Sequence, residues 1–166
     1  MKEFPLEQIE GTREYFKAQG FPVEEAQLGD LQVSYWVIPQ GLNPGLQDFA
    51  LRMTKTDPET GEVSGIFGVS DSVPAELRPY WAAHEIIEFT KIGIGQDGRC
   101  KLAEERAVGL VPPGLRDAFI GRRAMFFTNL TNFFKEDLKA NTGNYTPADL
   151  QEAEASLSFL QQLKPL

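Results

Sequence analysis

The chain has 166 residues, with 16 Lys and Arg against 24 Asp and Glu and a formal net charge of −8. That length suits one domain, taken here as 1–166, and 42% hydrophobic with 24% charged residues excludes disorder and fibrous repeats. The acidic balance argues against nucleic acid as a partner, because such domains carry an excess of Lys and Arg. One cysteine excludes an intramolecular disulfide framework and an all-cysteine zinc site. No apolar run reaches the ~18 residues that a membrane span needs, and the opening Met-Lys-Glu-Phe-Pro lacks the apolar run of a signal peptide. No membrane association and a cytoplasmic location are therefore expected.

In chain order, the first ~20 residues read as an amphipathic helix with Leu6, Ile9 and Phe16 on its stripe, Pro5 in its first turn and Gly20 as its stop. Leu31–Ile38 alternates in its first half and is apolar on both faces in its second, the pattern of a strand inside a sheet. Gly41–Gly45 is a loop. Phe49, Leu51 and Met53 alternate again, and a turn at Asp57–Gly61 leads to a strand near Val63–Val69. Gly65 and Gly68 fit close packing or a bulge in that strand.

After Pro74 the period becomes helical. One helix is expected over Ala75–Ile92, stopped by Gly93, Gly95 and Gly98, and a second over Arg99–Gly109. A long third helix runs from Pro112-Pro113 to about Lys139. Thr146-Pro-Ala-Asp149 caps a last helix bearing Leu150, Ala153, Leu157 and Leu160 on one face. Strands followed by helices give an α+β fold: a small antiparallel sheet of three to four strands packed against helices from the C-terminal half.

Chemistry concentrates in Trp81-Ala-Ala-His-Glu-Ile-Ile-Glu88. His84 and Glu88 stand one helical turn apart and point the same way, and Cys100 and Glu104 repeat that spacing on the next helix. The glycine-rich link lets the two helices pack together, so His84, Glu88, Cys100 and Glu104 converge as a nitrogen, sulfur and oxygen set that zinc accepts. The competing structural reading is a His84–Glu88 hydrogen bond, a buried Cys100, and Glu104 or Glu105 paired with Arg122 or Arg123. Residues 91–123 carry seven of the bases, which either pair internally or form an anion-binding patch. Ser70 and Ser72 lack the turn of a nucleophile elbow and read as a polar loop.

The strand and loop Gly65–Pro74 followed by Ala83-His84-Glu85-Ile-Ile-Glu88 resembles the zincin metallopeptidases, in which an edge strand precedes a helix bearing His-Glu-x-x-His. The resemblance covers roughly residues 63–92. It implies His84 as first zinc ligand and Glu85 as the catalytic general base that takes a proton from the attacking water. Glu88 stands where the family has its second His, which departs from the pattern, and the third ligand is to come from Cys100, Glu104 or Glu105. The implied activity is a metal-dependent hydrolase or a catalytically degenerate relative of one.

The alternative class of function is a non-enzymatic, acidic protein-interaction module with a structural His/Glu/Arg network. Phe119, Phe126 and Phe133 recur every seven residues, while the neighbouring pairs Phe126/Phe127 and Phe133/Phe134 cannot share one narrow seam. That helix is either buried on two sides or offers a surface to a protein partner or a homo-oligomer.

Overall fold

The computed structural model describes residues 3–93 and 95–163, so both ends of the expected 1–166 domain lie outside the described residues. Helix α1 (Leu6–Gln19) follows Pro5 and closes on Gly20, whose φ of 74° is the left-handed turn that glycine adopts without strain. Ile9 and Phe16 are buried as expected, whereas Leu6 faces solvent.

The sheet contains β1 (Val23–Leu28), β2 (Leu31–Ile38), β3 (Ala50–Thr56) and β4 (Val63–Ser70), in the order β1-β2-β4-β3. Strands β1 and β2 form one antiparallel hairpin, and β3 and β4 another across the Asp57–Gly61 turn. The sheet is nevertheless not wholly antiparallel, because β2 and β4 pair in parallel, with Trp36 opposite Gly68. The long connection 39–49 carries the chain to the far edge, so β3 lands outside and β4 returns beside β2 in the same direction.

Glycine at 65 and 68 permits close approach. A Cβ at Gly65 would collide with the Met53 carbonyl, and one at Gly68 with the Ile38 side chain. In the strand order β4 lies inside the sheet and β1 and β3 are its edges, which differs from the strand position that the zincin resemblance implies.

The C-terminal half is helical: α2 (Arg78–Ile86), α3 (Arg99–Leu110), α4 (Pro113–Ala140) and α5 (Pro147–Leu163). Helix α5 starts with a reciprocal cap, Thr146 N donating to Asp149 Oδ2 at 2.9 Å and Asp149 N to Thr146 Oγ1 at 3.3 Å. Val33, Tyr35 and Val37 of β2 are buried, and α2 packs against β2, β3 and β4. Helix α4 is buried on two sides, since Phe119, Phe126, Phe127 and Phe134 are all covered, while Met125 points outward. No helix among the described residues is long and apolar enough to cross a membrane.

Candidate metal centre

Helix α2 does not run unbroken to Ile92. After Ile86 it widens into a π-helical turn over Ile87–Ile92, in which Gly93 N donates to Glu88 O at 2.9 Å. A π turn inserted in an α-helix is frequent at functional sites because it re-aims side chains. Here the change of pitch falls between His84 and Glu88. Gly93, with φ 96°, ends the turn.

His84, Glu88 and Cys100 converge as the spacing suggested, and their ligand atoms lie within 4.8 Å of one another. His84 Nε2 is 3.3 Å from Glu88 Oε2 and 3.7 Å from Cys100 Sγ. All three residues are buried. Ser156 of α5 donates its hydroxyl to Cys100 Sγ at 3.0 Å.

Glu104 stands on the opposite side of the imidazole. Its Oε1 lies 2.7 Å from His84 Nδ1, off the line of the ring N–H. Its two oxygens also accept a fork from Arg123, Nε to Oε2 at 2.9 Å and Nη2 to Oε1 at 2.6 Å. Glu104 is therefore turned away from the group at Nε2 and holds the ring from behind, the place of an outer carboxylate around a ligating histidine. Arg123 is 1% exposed and its Cζ sits 4.6 Å from the Trp81 ring centroid and 4.8 Å from that of Phe127. Rings and carboxylate together replace the water that this guanidinium has lost.

Arg99 supports the other side, with Nε 3.4 Å from Glu88 Oε1 and Nη1 3.6 Å from Glu152 Oε1. Burial alone would lower the His84 pKa, yet Cys100, Glu104 and Glu88 outweigh it and raise it well above its ordinary value. Burial would raise Glu104, but the Arg123 guanidinium and His84 hold it down to about 2. Burial, helped by Glu88, pushes the Cys100 thiol up, against His84 and Ser156.

Glu85 lies half-buried beside the group, and burial raises its pKa, with Glu88 adding to the effect and His84, Arg123 and Arg52 opposing it. It lines a cavity of about 820 Å³ together with His84, Glu88 and Cys100. The cavity passes the edge strand β3 at Ala50–Arg52 and follows α4 toward the start of α5. Glu105, the further candidate, faces solvent and pairs with Lys101, at 3.6 Å.

The basic block is largely consumed by internal pairing. Arg99 and Arg123 serve the centre, and Arg122 grips Asp48 through Nε to Oδ2 at 2.8 Å and Nη2 to Oδ1 at 3.0 Å. Asp48 is a buried joint that sequence spacing did not single out. It takes a positive φ of 60°, accepts Ser72 Oγ at 2.6 Å, and its carbonyl accepts Trp81 Nε1 at 2.9 Å. Ser70 and Ser72 both donate to Gln40 Oε1, so the two serines tie the 39–49 connection to the strand end and α2. The partners of the Asp48 carboxylate, Ser72 and Arg122, lie 24 and 74 positions away in the chain, beyond any local pattern. No family model, curated protein or solved structure matches this chain.

Proposed function

We propose that this chain binds one zinc ion through His84 Nε2, Glu88 Oε2 and Cys100 Sγ and acts as a zinc-dependent hydrolase with Glu85 as general base. The observation that carries the reading is the spacing of those three atoms. Ligands at ~2.0–2.3 Å from zinc and at tetrahedral angles stand about 3.4 Å apart for a nitrogen–oxygen pair and about 3.6 Å for a nitrogen–sulfur pair. His84 Nε2 is 3.3 Å from Glu88 Oε2 and 3.7 Å from Cys100 Sγ. Three protein ligands and an adjoining cavity leave a fourth position open, the pattern of catalytic rather than structural zinc.

The surroundings suit a cation. Glu104 sets its charge 2.7 Å from Nδ1, leaving Nε2 to ligate, and Ser156 donates to the sulfur. Bound zinc supplies Lewis acidity toward a substrate carbonyl and toward water. Glu85, with its raised pKa and its place in the same cavity, takes up the proton that the attacking water releases. Arg99 balances the second oxygen of Glu88.

Protein purified without an affinity tag tests the reading by elemental analysis. One zinc per chain is expected, with a melting temperature lowered by chelator and zinc lost in His84→Ala and Cys100→Ser, because metal stabilises only the folded state. No zinc and no chelator effect would overturn it. One observation favours the second reading, a structural network in an interaction module: both ring nitrogens of His84 face carboxylates, as in a buried imidazolium. That reading predicts indifference to chelator.

A further inference from the structure

The end of the cavity remote from His84 has a chemistry that the metal reading does not use. Phe127, Leu130, Phe134 and Asp137 are spaced three, four and three residues apart on α4, so they share one helix face, and all four line the cavity. The stripe begins at Phe127, whose ring is 6.0 Å from that of His84. At ~1.5 Å per residue it reaches Asp137 after about 15 Å.

Asp137 Oδ2 is buried and has no hydrogen-bond partner among the described residues, while Thr142 Oγ1 holds the other oxygen at 2.7 Å. A buried oxygen left without a donor is destabilising unless something else supplies one. Aromatic surface stands next to it, with Tyr145 and Phe134 ring centroids 4.7 Å apart. Asp149 lines the same end, and neither Asp137 nor Asp149 is in an ion pair among the described residues. At the other end, Arg99 is engaged between Glu88 and Glu152.

From this arrangement we infer a second subsite: the cavity takes an amphiphilic primary ammonium, its apolar body along Phe127, Leu130 and Phe134 and its ammonium on Asp137 Oδ2 beside Tyr145. The ammonium supplies the missing donor and a charge that both carboxylates and aromatic faces favour. An anionic group at that end would meet the like charge of Asp137 and Asp149. The inference is independent of zinc, since Asp137 lies about 15 Å along α4 from the His84 end.

Calorimetric titration with decylamine, decanol and decanoate, each below its micellar concentration and at neutral pH, tests it. The amine is expected to bind at least tenfold more tightly than the alcohol, and the carboxylate not measurably. Asp137→Asn should bring the amine to the alcohol's affinity and leave the alcohol unchanged, with Phe134→Ala weakening both. The same preference is expected before and after treatment with chelator. Equal binding of amine and alcohol in the unmodified protein would overturn the assignment. So would a preference that survives in folded Asp137→Asn, or one that disappears with chelator, which would put the amine on the metal.

Discussion

Replacing Arg123 by Met isolates the buried charge pair behind the centre. Arg123 and Glu104 are 1% and 0% exposed, and the fork between them has bonds of 2.9 and 2.6 Å. Met fills much of the volume among Trp81, Phe126 and Phe127, so the loss is mainly electrostatic. Glu104 would keep only His84 as a partner, and a buried charge stripped of its partner costs about 3–5 kcal/mol. With a urea slope of ~2 kcal/mol/M, the unfolding midpoint should fall by roughly 2 M. Removing both charges in Arg123→Met/Glu104→Leu should recover most of that loss, since no uncompensated carboxylate remains. A midpoint shift below about 0.5 M for the single variant, or additive losses in the double variant, would show that Arg123 does not compensate the Glu104 charge.

Three further outcomes follow from the same structure. Glu104 has its pKa lowered from 4.5 to about 2, so its contribution to stability is present above about pH 4.5 and is lost as pH falls toward 2. The stability gap between the unmodified protein and Glu104→Gln should therefore close over that interval in acid-titrated urea melts, and a gap independent of pH would contradict the pairing. Phe126, buried against Trp81 and Phe127, should cost about 3–5 kcal/mol as Phe126→Ala and lower the melting temperature by roughly 10 °C; an unchanged Tm would place the ring in solvent. Gly65→Ala should destabilise by about 1–3 kcal/mol in urea unfolding, because its Cβ meets the Met53 carbonyl and the Thr54 Cα, neither of which can rotate away.

Periodicity located most elements, because burial on one face is a local property of the chain. Leu31–Ile38 alternates and then turns apolar on both faces, and it does lie inside the sheet. Strand β1 escaped because Val23-Glu-Glu-Ala-Gln-Leu28 buries only its last residue; pairing with β2 holds it, with Glu24 bonding Tyr35 and Arg78. The parallel β2–β4 ladder left no trace either, since a strand's pattern records which face is buried and not the direction of its neighbour.

At the site, helical spacing was enough to bring His84 and Glu88 together and to set Cys100 within reach. The role of Glu104 was not legible. Its pairing with Arg123, nineteen residues on, was one of several open options, and the side of the imidazole it occupies depends on how α3 meets α2. Ser156 and Glu152 come from α5, whose apolar stripe showed only that one face was buried.

X-ray absorption at the zinc edge reads ligand type and distance independently of activity. Stoichiometric zinc is expected, with one sulfur at about 2.3 Å and nitrogen or oxygen neighbours at about 2.0–2.1 Å. In Cys100→Ser the sulfur shell should vanish, and in Glu104→Gln it should remain. A shell of oxygen alone, or a sulfur signal that persists without Cys100, would contradict the assignment of His84, Glu88 and Cys100 as the metal centre.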